Sequence, residues 1–317
     1  MEYSCSTPVL LIFFNRADTF AKVFEKVRKA KPKILVLAQD GPRREKDVAG
    51  IEACRKIAEN IDWDCEIIRD YSEVNLGCGM RPQTAITNAL NKFEQIIILE
   101  DDCVPSDSFF PYCEEMLKKY KDDERICYIS GLNHFETWDC NGEDYFYTKT
   151  GAISAWATWR RAWNKYDYYV RAIEDERNLE LVKAQFSNKQ VAQHRAEGWK
   201  RAYDSLKNGE KLSYWDVQWG FVKYSQNMLV ITPAKNLIYN IGVGAGSTHA
   251  AVGTQTKFVK YKNFVFIPTY EIEFPLKAPK VCVADTKYDD LVYKCSLNVP
   301  FMVKVKKFVR KFIKKRK

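Results

Sequence analysis

Histidine is scarce in this chain, three in 317 residues, and none stands near a cysteine at the spacing of a zinc finger. The ten cysteines (5, 54, 65, 78, 103, 113, 127, 140, 282 and 295) include no C-x-x-C pair. A small structural zinc domain is thereby excluded, and scattered single cysteines read as thiols in a reducing compartment. No apolar run reaches the roughly 18 residues that a membrane span requires. Val9 to Phe14 is too short for one, and the N-terminus lacks the basic start and apolar core of a signal peptide. The expectation is a cytoplasmic protein. No internal repeat is found, and no G-x-G-x-x-G follows the first predicted strand, which removes the dinucleotide fingerprint. Acidic residues are missing from Phe301–Lys317, which holds nine Lys or Arg. Without it the chain has 41 basic and 41 acidic residues, so the charge of +9 belongs to a tail and not to a groove, and no nucleic-acid partner is expected.

What is present is an alternation of short apolar runs and amphipathic stretches. Val9–Phe14 precedes Ala17–Ala30, where Phe20, Val23, Phe24 and Val27 recur at helical spacing. A strand over Ile34–Ala38, a helix over Lys46–Asn60, a strand over Cys65–Ile68, a helix over Pro82–Phe93 and a strand over Ile96–Leu99 follow. This pattern predicts an α/β fold: a mostly parallel central sheet with helices on both faces. From about residue 131 the spacing predicts helices over Ala155–Tyr166, Val170–Gln185, Lys189–Leu206 and Asp216–Gln226, then strands at Leu229–Ile231 and Leu237–Tyr239. The expected organisation is one domain over 1–275, with a nucleotide half to about 130 and an acceptor half after it. A linker over 276–300 and a basic tail over 301–317 complete it.

In such sheets ligands bind beyond the carboxyl ends of the strands. Asn15-Arg16, Gln39-Asp40-Gly41, Arg69-Asp70 and Glu100-Asp101-Asp102 stand at the four predicted strand ends. Three consecutive carboxylates delivered to a partly buried edge call for a counter-charge, and oxygen ligands favour Mg²⁺ or Mn²⁺ bridged to phosphate. The alternative is a surface loop whose acids favour the start of the helix after Pro105. Asn75-Leu-Gly-Cys-Gly79 with Arg81 reads either as a turn or as a close backbone approach to a nucleotide, with Arg81 on phosphate.

The stretch Gln83–Phe110, with its Glu100-Asp101-Asp102 and following Pro105-Ser106-Asp107-Ser108-Phe109-Phe110, resembles the DXD region of GT-A glycosyltransferases of the N-acetylglucosaminyltransferase I type. Phe14-Asn15-Arg16, Gln39-Asp40-Gly41, Trp215-Asp216 and, more loosely, Gly246-Ser247-Thr248-His249 fall in the family's order over roughly residues 7–250. The resemblance implies a GT-A-like fold and a nucleoside diphosphate sugar as donor. It also implies Asp102 as metal ligand, Glu100 and Asp101 on sugar and ribose, Arg16 on the diphosphate and Asp40 at the base edge. A late histidine, His249, would complete the metal or diphosphate site. Asp216 would be the general base of an inverting displacement; as a plain residue it also suits a helix N-terminus. Trp156, in Gly151–Trp159, and Trp215 are candidate sugar contacts, with core packing as the other fate of each indole.

The tail repeats Phe301, Val305, Phe308, Phe312 and Ile313 at helical spacing among Lys and Arg, the signature of a basic amphipathic helix on an anionic membrane, with a disordered nucleic-acid-contacting tail as the rival reading. The sequence therefore reads as a metal-dependent glycosyltransferase, peripheral at the inner face of the membrane, acting on a glycan or lipid-linked acceptor. A sugar nucleotidyltransferase and a non-catalytic carbohydrate-binding protein are the alternatives.

Overall fold

The computed structural model describes residues 3–242 and 266–297, and it is a mixed α/β fold. Strand β1 (Val9–Phe13) is followed by α1 (Ala17–Ala30), β2 (Ile34–Gln39), a 3-10 turn at Glu45–Asp47, α2 (Val48–Ala58), β3 (Glu66–Tyr71), α3 (Gly77–Lys92) and β4 (Gln95–Glu100). The next elements are β5 (Cys103–Pro105), α4 (Phe109–Lys119), β6 (Ile126–Ser130), β7 (Tyr145–Thr148), β8 (Trp156–Trp159) and α5 (Arg160–Trp163). Then come α6 (Glu176–Lys183), α7 (Lys189–Lys207), α8 (Asp216–Ser225), β9 (Leu229–Pro233), β10 (Ile238–Asn240) and α9 (Thr286–Leu297).

Eight strands form one sheet in the order β3-β2-β1-β4-β8-β6-β9-β7. The first four are parallel, as their crossover helices require. β8 then runs antiparallel between β4 and β6, and β7 antiparallel beside β9, so the sheet as a whole is mixed. Alternate residues of the central strands enter two cores. Val9, Leu11, Leu35, Leu37, Ile97 and Leu99 meet α1, α2 and α4, while Leu10, Ile12, Val36, Ala38, Ile96 and Ile98 meet α3, α5 and α8. Burial on both faces is why these strands read as continuous apolar runs.

Several expectations are corrected. Trp156–Trp159 is a strand, not the start of a helix, and it pairs with β4 on one side and β6 on the other. The stretch expected as one helix over Val170–Gln185 is a 3-10 turn at Arg171–Glu174 and then α6, whose start is capped by Asp175 accepting from the Arg177 N–H. Helix α3 begins at Gly77, so the two glycines lie in its first turn and not in a loop. Arg69 and Asp70 are inside β3 and not beyond its end. The segment expected as a linker is part of the packed domain: α9 buries Tyr288 and Val292 against Phe135, Trp138 and Phe146. Asp289 accepts hydrogen bonds from the Lys149 and Thr150 amides and the Thr150 hydroxyl. Residues 301–317 lie outside the described residues, and among those described no helix is long and apolar enough to cross a membrane.

Candidate active site

The register of the parallel strands aligns their carboxyl ends. Ile12 lies beside Ala38 on one side and Glu100 on the other, and Phe13 beside Gln39. Phe14–Arg16, Asp40 and Asp101–Asp102 therefore leave the sheet at one edge, as expected. Arg16 is the centre of charge there. Its guanidinium pairs with Asp101 and, at 2.9 Å, with Asp102 Oδ2, while the Phe14 amide donates to Asp101 at 3.2 Å. Burial opposes the charge of Arg16, and the two carboxylates outweigh it, so its pKa is raised.

One guanidinium does not balance this edge. Burial, then the charges of Asp102, Asp101 and Asp216, push the Glu100 carboxyl well above the ordinary range. Burial also raises Asp101 against the pull of Arg16. The excess negative charge suits a divalent cation, and the donors are hard oxygens, the set that Mg²⁺ and Mn²⁺ take. Among the described residues no three His, Cys, Asp or Glu side chains converge as a closed metal cage. The arrangement fits an ion held by one or two carboxylates, with phosphate and water completing the shell.

A second strand pair closes over Asp102. β5 pairs antiparallel with β10, and the Ile241 amide donates to the Asp102 carbonyl at 2.8 Å. Gly242 then lies so close that a Cβ on it would stand 2.1 Å from Asp102 Oδ2. Any side chain at 242 would displace the Asp102 carboxylate from this position. His249 lies outside the described residues.

The remaining candidates separate. Asp40 is buried and saturated: Oδ1 accepts from the Gly41 and Leu76 amides at 3.0 and 2.8 Å, and Oδ2 from the Gly77 amide and Asn75 Nδ2 at 2.8 and 3.0 Å. Four donors fill a carboxylate's capacity, so Asp40 clamps the entry to α3 and has no lone pair to offer a base edge. Arg81 is 3% exposed, pairs with Asp70 at 3.0 Å and donates to the Asp70 carbonyl, so its guanidinium is engaged inside the protein. Trp156 is fully buried, stacked on Trp215 with centroids 5.9 Å apart and packed against Trp163 and Trp219. Trp215 is 5% exposed, so both indoles are core residues and not sugar contacts. Asp216 is exposed as the first residue of α8, and its charge acts on Glu100.

Two residues of this edge escaped sequence reasoning. Arg43 lies over the Phe14 ring at 4.8 Å and pairs with buried Asp47 at 3.0 Å, and Asp47 also accepts from Asn15 Nδ2 at 2.8 Å. The spacing of Arg43 and Asp47, four apart after Gly41-Pro42, was the available signal.

No family model matches the chain, and no curated protein matches it. Similar solved structures include a UDP-glucose pyrophosphorylase complexed with UDP-glucose, at 9% identity and a TM-score of 0.32 over 74% of this chain and 93% of that one. Another is 4-diphosphocytidyl-2C-methyl-D-erythritol synthase from Anaerococcus prevotii, at 11% identity and 0.31 over 70% and 99%. A third is a mannose-1-phosphate geranyltransferase from Thermus thermophilus, at 11% and 0.34 over 72% and 75%. At these values the likenesses assign no activity.

Proposed function

We propose that the chain is a metal-assisted glycosyltransferase that takes a nucleoside diphosphate sugar at the edge formed by β1, β2 and β4. The observation that carries this reading is the surplus of carboxylates around a single guanidinium: Glu100, Asp101, Asp102 and Asp216 against Arg16. Asp102 would hold a Mn²⁺ or Mg²⁺ ion. That ion would supply Lewis-acid stabilisation of the departing diphosphate. Arg16, released from sharing two carboxylates, would also face phosphate. Asp216, exposed at the start of α8, would accept the proton of the acceptor hydroxyl, in an inverting displacement. The acceptor would be a glycan or a lipid-linked sugar, and residues 301–317 would hold the protein at an anionic membrane.

A second reading, a sugar nucleotidyltransferase, is the one that the name of the pyrophosphorylase matches. Against it stands the connection between β1 and α1, which is only Phe14, Asn15 and Arg16, too short for a glycine-rich loop around a triphosphate. One assay separates the two. The chain is incubated with Mn²⁺ and either nucleotide sugars or nucleoside triphosphates plus sugar 1-phosphates. Release of nucleoside diphosphate from the first set supports glycosyl transfer. Release of pyrophosphate from the second set overturns it.

A further inference from the structure

Helix α3 touches the chain segment that leads to Asp216 in two places. Gly79 is buried against it: a Cβ there would stand 2.1 Å from the Leu212 carbonyl oxygen and 3.1 Å from the Tyr214 nitrogen. One residue earlier, the Cys78 thiol donates to the Ser213 carbonyl at 3.0 Å. Backbone thus lies directly on backbone, at a distance that only a glycine allows. The start of α3 is itself fixed by Asp40, whose carboxylate holds the Leu76 and Gly77 amides. Beyond the contact, Trp215 is locked in the aromatic core against Trp156. Asp216 follows immediately, so the segment before it is held by α3 and the residue before it by the core.

We propose that Gly79 and Cys78 are positioning residues for Asp216: they seat the 212–214 segment on α3 and so set where the Asp216 carboxylate meets an acceptor. The proposal rests on Asp216 being the base, as above. It also joins the two halves of the protein, because the same helix turn that Asp40 fixes on the nucleotide side carries the contact on the acceptor side. An added methyl at 79 forces the 212–214 backbone outward, and a displacement of about 1 Å in a catalytic group lowers turnover by about 100-fold.

The test is a double-mutant cycle with Gly79→Ala and Asp216→Asn. Mn²⁺ and the best-bound member of a panel of uridine, guanosine and cytidine diphosphate sugars serve as probe. Three quantities are read: nucleoside diphosphate release, donor Kd by calorimetry, and amide hydrogen exchange over 212–216. Gly79→Ala is expected to slow release by about 100-fold, to leave Kd within about two-fold, and to speed exchange over 212–216. In the Asp216→Asn background it should have no further effect on rate. Cys78→Ala should show a smaller loss that Cys78→Ser restores. An equal loss in the Asp216→Asn background, or unchanged exchange over 212–216, overturns the positioning role alone. Wild-type turnover by Asp216→Asn overturns the base assignment and the positioning role together.

Discussion

Arg16 and Asp102 meet at 2.9 Å, and the same guanidinium also serves Asp101. A cation shared in this way keeps two carboxylates ordered at a partly buried edge, and it leaves the edge net negative. Replacing Arg16 by Met should therefore destabilise the metal-free protein by about 2 kcal/mol, less than for a fully buried pair because the guanidinium is a quarter exposed. Added Mn²⁺ should recover more Tm in the variant than in the wild type. Equal shifts in differential scanning fluorimetry would show that Asp101 and Asp102 do not take the ion's charge.

Asp40 gives a different kind of prediction. Asp40→Ala leaves the Leu76 and Gly77 amides without their acceptor, while Asn75 Nδ2 keeps the Gly41 carbonyl, and should cost about 3 kcal/mol, read as a fall in denaturation midpoint. It should not change which base is preferred in the donor. A switch in base preference without loss of stability would return Asp40 to the donor site.

The acids at the edge predict a pH dependence. The pKa of Glu100 is raised in the folded state by burial and by Asp102, Asp101 and Asp216. A raised carboxyl favours the folded state least at high pH, so its penalty opens above about pH 4.3, where the unfolded chain's glutamate ionises, and grows until the folded group ionises. Glu100→Gln should accordingly raise the Tm of the metal-free protein at pH 8 and leave it unchanged at pH 4. A gain of equal size at both values would contradict the electrostatic origin.

The strand ends were legible in the sequence because β1, β2 and β4 are buried on both faces and their apolar runs stop where polar residues begin. Arg16, Glu100, Asp101 and Asp102 were therefore placed correctly at one edge. The stretch Ala155–Tyr166 suggests a helix, yet Trp156 and Trp159 lie on a four-residue strand whose environment comes from β4 and β6, distant in sequence. Gly77 and Gly79 suggested a loop, because nothing local announces that Leu212 packs on the first turn of α3. The saturation of Asp40 was equally hidden, since its donors stand 35 to 37 residues away, apart from the neighbouring Gly41 amide. Helix α9 buries Tyr288, Asp289, Val292 and Tyr293 at helical spacing, but the residues that Tyr288 and Val292 pack on, Phe135, Trp138 and Phe146, stand more than 130 residues earlier, so nothing local shows that the segment belongs to the packed domain.

The basic tail is tested separately. Flotation with vesicles of phosphatidylserine and phosphatidylcholine should carry the full chain, and a chain ending at residue 300 should stay behind. Salt at 0.5 M should weaken the binding, as expected for lysine attraction to an anionic surface. Equal flotation of both chains would remove residues 301–317 as the anchor.

The central claim is that the triplet holds nucleotide-sugar phosphates through a divalent cation, and calorimetric titration of the same donor panel with Mn²⁺, with EDTA, and with Asp102→Asn tests it most directly. The account predicts one donor that binds only with Mn²⁺, and a loss of at least about 100-fold in Asp102→Asn, about 2.7 kcal/mol. Metal-dependent binding of undiminished affinity in Asp102→Asn would contradict it.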